Sequence, residues 1–110
     1  MENVEEKKMS LKKKYLKSKN LCKVSFIVPK EAAKDASKIT LAGDFNSWDT
    51  TQQVLKKLKN GNFQCVVDLE PGQEYQFRYL YDESLWENDW SADDYRETEF
   101  GDCDNSVVIV

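Results

Sequence analysis

Residues 63–81 read FQCVVDLEPGQEYQFRYLY, and they contain the clearest structural pattern in the chain. Apolar side chains alternate with other residues on both sides of Glu70-Pro71-Gly72-Gln73, a segment whose composition is typical of a turn. Alternation with a period of two indicates β-strands that bury one face. The stretch therefore predicts two strands, with core faces formed by Phe63, Cys65, Val67 and Leu69 and by Tyr75, Phe77, Tyr79 and Tyr81.

Further strand signals lie on either side of this stretch. The Asn60-Gly61 pair tolerates positive φ and predicts a tight hairpin. Cys22–Val28 alternates up to a proline, and Ile39–Gly43 and Val107–Val110 are shorter apolar runs. Lys30–Ser37 is a polar connection with room for one helical turn. Several short strands joined by turns predict an all-β, immunoglobulin-like antiparallel β-sandwich.

Composition limits the chain to one small domain. It has 110 residues, of which 40% are hydrophobic, so it can build a single core of modest size. Charged residues make up 33%, and no apolar run is long enough to cross a membrane. Residues 1–20 are lysine-rich and lack the apolar run of a signal peptide, so we expect no membrane partner and a cytoplasmic location.

The residue types needed for most catalytic and metal sites are scarce. Histidine is absent, which removes the commonest general base and zinc ligand. Cys22, Cys65 and Cys103 are odd in number and widely spaced, so we expect free thiols without a metal. The acidic loop residues, Asp89, Asp93 and Asp94 among them, do not have the spacing of a calcium loop. We predict no enzyme activity, no cofactor and no metal site.

Charge is distributed unevenly along the chain. Residues 1–20 contain seven Lys against three Glu, whereas the whole chain has a net charge of -4. We expect residues 1–19 to form a basic tail outside the domain, and residues 20–110 to form the domain. Apolar Leu11, Tyr15 and Leu16 predict one or two helical turns within the tail. The acidic body would repel phosphates, so we expect no nucleic-acid partner.

Four short motifs occur together in a characteristic order. They are Gly43-Asp44-Phe45-Asn46-Ser47-Trp48, Tyr75–Asp82, Trp86-Glu87-Asn88-Asp89 and Asp104-Asn105-Ser106-Val107-Val108. In this order and spacing the chain resembles the family 48 carbohydrate-binding modules. These are the early-set domains of isoamylases and glycogen branching enzymes, shared with the glycogen-binding domain of AMP-activated protein kinase β subunits. No catalytic barrel follows, so we expect the stand-alone bacterial form.

The resemblance implies a non-catalytic surface that binds α-1,4-glucan such as glycogen, starch or maltooligosaccharide. Its site would consist of Trp48, Trp86, Arg78 and Asn105. Arg78 stands where the kinase-type modules usually have Lys. A leucine that projects through the sugar ring in those modules would fall at Phe100 or Gly101. Trp90, an additional aromatic beside the site, has no role in that family.

One alternative function belongs to another class. The sandwich could serve as a protein-interaction or scaffold domain whose sugar site has decayed, with a sheet edge or the basic tail forming the contact. A glycogen-metabolising enzyme is a candidate partner under either interpretation. Because the resemblance begins near residue 20, we expect deletion of residues 1–19 to leave the fold and glucan affinity nearly unchanged.

Overall fold

The computed structural model describes residues 10–98 and 104–110. Ten strands form two antiparallel sheets, which pack face to face as a sandwich. The strands are β1 Leu11–Leu16, β2 Leu21–Val28, β3 Ile39–Gly43, β4 Gln53–Val54, β5 Lys56–Lys57, β6 Phe63–Leu69, β7 Glu74–Tyr81, β8 Leu85–Glu87, β9 Asp94–Glu97 and β10 Asp104–Ile109. The predicted all-β sandwich is confirmed.

The first sheet has four strands in the order β1-β2-β6-β5. The predicted hairpin lies between β5 and β6, where Lys57 pairs with Phe63. Gly61 in its turn has a φ of 93°, a conformation that favours glycine. The alternation seen in the sequence is present, because Cys22, Val24 and Phe26 of β2 are fully buried.

The second sheet has the order β4-β3-β7-β10-β9, and β8 also pairs with β7. β8 and β10 lie one after the other along the same edge of β7, because β3 occupies the other edge. The long aromatic strand is thus the centre of this sheet. The chain crosses from the first sheet to the second through a 3₁₀ turn at Lys30–Ala32, as the sequence predicted for this connection.

Aromatic rings hold the two sheets together. Phe77 of β7 packs edge-on against Phe26 of β2, with ring centroids 5.1 Å apart, and against Tyr79 at 5.7 Å. Phe45 extends this cluster to Tyr75, at 6.1 Å. Such tilted and edge-on pairs stabilise a core beyond the area they bury. No helix in the described ranges is long and apolar enough to span a membrane.

The helix predicted within residues 1–19 is wrong for Leu11–Leu16, which form strand β1. Leu11 and Tyr15, though not Leu16, also fit a period of two, and they lie opposite Phe26 and Cys22 of β2. Pairing with β2 satisfies the backbone groups on one edge of β1, whereas a short isolated helix is marginal in water. Leu11 is only 7% exposed and belongs to the core. Residues 1–9 lie outside the described part.

Candidate functional site

The predicted site residues lie on, or beside, the side of the second sheet that points away from the core; we call this side the outer face. Phe77, Tyr79 and Tyr81 of β7 are buried toward the core, so the alternating residues point outward. Register places Arg78 beside Ala42 of β3, and Leu80 beside Trp86 of β8.

A hydrogen-bonded network of uncharged and cationic side chains crosses the outer face. Arg78 donates from Nε to Oδ1 of Asn105 over 2.6 Å. The Nδ2 of Asn105 donates in turn to Oε1 of Gln76 over 2.9 Å. Two of the four predicted site residues are therefore in direct contact. Each is half-buried, so the network is fixed but still reaches the surface.

Trp48 is placed by a tight loop after β3. The chain leaves β3 at Gly43, where an added Cβ would lie 2.6 Å from the backbone oxygen of Gln76, so a larger residue does not fit. The side chain of Asn46 is buried and closes the turn, accepting from the Gly43 N–H over 3.0 Å and donating to the Leu41 carbonyl over 3.1 Å. The small glycine and the Asn46 amide thus fix the loop.

The backbone of this loop is strained at the site residue itself. Ser47 and Trp48 have φ values of 57° and 58°, in the left-handed region that residues with a side chain rarely adopt. A hydrogen bond from the Trp48 N–H to the Gly43 carbonyl, 2.9 Å long, holds this conformation. Strained residues of this kind concentrate at functional sites.

Asp44 connects Trp48 to the network. Its Oδ1 accepts from the indole Nε1 of Trp48 over 3.1 Å, and its Oδ2 accepts from the backbone N–H of Gln76 over 2.8 Å. The half-buried indole is therefore tied to the strand that carries Arg78. A continuous set of contacts joins Trp48, through Asp44, Gln76 and Asn105, to Arg78.

Trp86 lies in the same sheet, at the other end of the outer face. It sits on β8 directly beside Leu80, two residues along β7 from Arg78. Its side chain is 42% exposed, which is high for the largest aromatic residue. The structure thus places Trp86, Arg78 and Asn105 on the outer face and ties Trp48 to it through Asp44. Phe100 and Gly101, the positions considered for a further contact, lie outside the described residues.

Two residues of this site were missed from the sequence. Gln76 alternates with Arg78 on β7, so the period of two could have identified it. Asp44 gave no such signal, because its bond to Trp48 depends on the left-handed loop backbone.

Trp90 lies away from the network. It borders a groove of about 190 Å³ together with Glu31 and Ala32, which belong to the connection between the sheets. The residue before it, Asp89, is 2% exposed, and burial raises the pKa of its carboxyl group. Both carboxylate oxygens of Asp89 accept hydrogen bonds, from the Tyr79 hydroxyl over 2.9 Å and the Ser91 N–H over 2.9 Å. This carboxylate supports the loop.

Cysteines and acidic side chains are described in residues 10–98 and 104–110. Cys22 and Cys65 are free thiols, and burial raises the pKa of Cys65 to about 12. Cys103 lies outside the described residues. No group of three His, Cys, Asp or Glu side chains is arranged for a metal ion within residues 10–98 and 104–110. Asp93 accepts from Lys13 over 2.7 Å and from the Ile109 N–H over 2.8 Å, so it links strands.

Comparison with known proteins connects this arrangement to a family. The chain is 32% identical over 76 residues to Protein PTST homolog 2, chloroplastic, of Arabidopsis thaliana. That alignment covers 68% of this chain but only 13% of the relative's length. Residues 22–95 match the carbohydrate-binding module 48 family, a range that contains Trp48, Arg78 and Trp86 and ends before Asn105. The chain belongs to the carbohydrate-binding module 48 family, also described as the isoamylase N-terminal domain.

Proposed function

We propose that the outer face binds α-1,4-linked glucan, such as glycogen, starch or maltooligosaccharide, without catalysing a reaction. The observation that carries the proposal is the pairing of exposed or half-exposed indoles with a fixed polar network. Trp48 and Trp86 supply the apolar surfaces, and Arg78 and Asn105 supply the hydrogen-bonding groups. Membership of a carbohydrate-binding family supports this class of ligand.

The ligand's chemistry matches these two kinds of group. A pyranose ring presents a flat C–H face, which packs well on the rigid indole of a tryptophan. Its hydroxyls both donate and accept hydrogen bonds. The Asn105 amide can do both, and the Arg78 guanidinium provides a planar fork of donors. A neutral sugar requires no net charge at the site.

The network lowers the cost of binding. Arg and Gln side chains lose conformational freedom when a ligand orders them, by about 0.5 to 1.5 kcal/mol each. Here Asn105 already holds Arg78 and Gln76 in place. The left-handed backbone and the Asp44 bond fix Trp48 in the same way. A preorganised surface of this kind can bind a weak, solvent-exposed ligand with little rearrangement.

A protein-interaction domain is the second candidate. The observation in its favour is that β1 ends the four-stranded sheet, so its outer edge can pair with a strand from another protein. A glycogen-metabolising enzyme is the partner class we propose for that case. Under this alternative the tryptophans would be structural and glucan would not bind.

A pull-down experiment separates the two candidates. The chain is incubated with insoluble starch, and with cellulose as the control for β-linked glucan, in the presence or absence of soluble maltoheptaose. We expect retention on starch, release by maltoheptaose and no retention on cellulose. Equal recovery from starch and cellulose, or no effect of maltoheptaose, would contradict the glucan proposal and favour the interaction domain.

A further inference from the structure

Trp90 is an exposed aromatic that the fold does not use. Its side chain is 54% exposed, more than that of Trp86. Within the described part of the chain, its indole makes no hydrogen bond and no aromatic pair. This leaves the indole open to a ligand.

The loop that carries Trp90 is held firmly on both sides. The backbone carbonyl of Asp89 accepts from the Tyr95 hydroxyl over 2.6 Å, and the backbone N–H of Asp89 donates to the Ser106 hydroxyl over 2.8 Å. After Trp90, the Ser91 carbonyl accepts from the Ser10 hydroxyl over 3.0 Å. The backbone on both sides of the exposed indole is therefore held by hydrogen bonds.

The groove beside Trp90 is small and mostly apolar. Its volume is about 190 Å³, below the roughly 300 Å³ at which pockets for drug-sized ligands begin. A stable protein partner would need about 800 Å² of contact on each side. Trp90 offers an aromatic surface and Ala32 leaves room beside it, which suits the flat C–H face of a sugar ring.

We propose that Trp90, with Glu31 and Ala32, forms a second contact for the same α-glucan ligand, separate from the outer face. This inference rests on the proposed function, because it takes the same class of ligand. Trp90 follows Trp86 by four residues, so their Cα atoms lie at most about 14 Å apart. Glu87, between them, faces the other way and pairs with Lys34 over 2.7 Å.

Two contacts on one domain have a measurable consequence. A long glucan that reaches both tryptophans binds the second intramolecularly, at a high effective concentration. A trisaccharide gains nothing from the second contact. By analogy with bases stacked on aromatic residues, loss of one ring weakens binding between about 5-fold and 100-fold. We therefore expect Trp90→Ala to weaken amylose binding by a factor in this range, and to leave maltotriose affinity at the outer face unchanged.

The indole N–H signals in a nitrogen-15 NMR spectrum test the proposal directly. The chain has three tryptophans, so each signal can be assigned with one Trp→Phe variant. Maltoheptaose is titrated into the parent and into a Trp48→Ala/Trp86→Ala double variant, with cellohexaose as the control. We expect the Trp90 signal to move with maltoheptaose in both proteins, and not with cellohexaose.

The outcomes separate this inference from the proposed function. If the Trp48 and Trp86 signals of the parent move while Trp90 does not, the second contact is refuted and the proposed function stands. If no signal moves, both are refuted. If the double variant does not fold, the amylose and maltotriose affinities of Trp90→Ala decide whether the second contact exists. Equal amylose affinity in that variant and the parent would overturn the second contact.

Discussion

The two sheets of the sandwich present outward faces of opposite character. The outer face of the second sheet joins Gln76, Arg78 and Asn105 by side-chain hydrogen bonds of 2.6 and 2.9 Å. The outward side of the first sheet, which we call the lysine-rich face, carries Lys12, Lys14, Lys23 and Lys56. The ion pair described on it joins Lys23 and Asp68, both about half exposed, over 3.1 Å.

The difference separates the face that we propose for binding from a solvated face on the same scaffold. Both faces arise from the same alternation of inward and outward residues. On the lysine-rich face, the long side chains are exposed, and exposed ion pairs contribute little to stability. On the outer face, short-range hydrogen bonds hold the polar groups at fixed positions beside aromatic rings. Fixed groups suit a neutral ligand with many hydroxyls, whereas exposed charges mainly provide solubility.

Substitutions in the core of the first sheet should lower stability without changing the affinity for glucan. Leu11→Ala removes a core side chain from β1, and we expect it to lower the free energy of unfolding by about 2 to 3 kcal/mol. Urea denaturation at equilibrium measures this, and maltoheptaose affinity below the transition should match the parent. Leu16→Ala, at the half-buried end of β1, is the control and should cost less. A variant as stable as the parent would instead support the prediction that residues 1–19 are dispensable for the fold.

Breaking the network should weaken binding on the outer face. Asn105→Ala removes the hydrogen bonds to both Arg78 and Gln76, and we expect about 10-fold weaker maltoheptaose binding by calorimetry. Arg78→Ala leaves the bond between Asn105 and Gln76 in place and should have a smaller effect. Lys23→Ala, on the lysine-rich face, is the control. If Asn105→Ala and Lys23→Ala bind equally well, the network has no role in recognition.

Asp44 should act as a positioning residue for Trp48. Asp44→Asn keeps the size of the side chain but replaces one carboxylate oxygen with an NH₂ group. Both oxygens of Asp44 accept from an N–H, of Trp48 or of Gln76, so the new NH₂ group would face a donor in either orientation. We expect binding about 2- to 10-fold weaker and a shifted Trp48 indole signal in the free protein. Asp68→Asn is the matched control on the lysine-rich face. An unmoved Trp48 signal would show that the Asp44 bond does not orient the indole.

Charge on the lysine-rich face should not affect glucan binding. We expect Lys12→Gln/Lys14→Gln to change maltoheptaose affinity less than about 2-fold. The two lysines lie on the opposite sheet from the proposed site, and a surface charge has little long-range effect on an uncharged ligand. Added salt should leave the affinity of the parent unchanged for the same reason. A salt-dependent affinity that disappears in the double variant would mean that this face takes part in binding.

The sequence predicted the central strands well because their pattern is unambiguous. Predicted strands at residues 63–69 and 75–81 correspond to β6 and β7, and their alternation also placed Arg78 outward. The pairing of β1 could not be predicted, because its few apolar residues fit a helix as well as a strand. The strands β8 and β9 are short and largely exposed, so they lack a hydrophobic pattern.

The contacts among the candidate site residues could not be predicted from the sequence. Resemblance of motifs indicated Trp48, Trp86, Arg78 and Asn105, and the structure brings Arg78 and Asn105 together. The bond between Asp44 and Trp48 arises from backbone angles that no residue pattern specifies. The groove at Trp90 requires Ala32, which is distant in sequence and is positioned only by the crossing between the sheets.

The central claim is that the outer face binds glucan through its tryptophans. Calorimetric titration of maltoheptaose into Trp86→Ala, with Val66→Ala as the control variant, tests this claim most directly. Val66 is 48% exposed on the lysine-rich face, which matches the 42% exposure of Trp86. We predict that Trp86→Ala, and likewise Trp48→Ala, binds about 5- to 100-fold more weakly, whereas Val66→Ala binds as the parent does. The melting temperature of Trp86→Ala should stay within about 5 °C of the parent. Parent-like binding by Trp86→Ala, or a stability loss of about 3 to 5 kcal/mol as for a core tryptophan, would contradict the account.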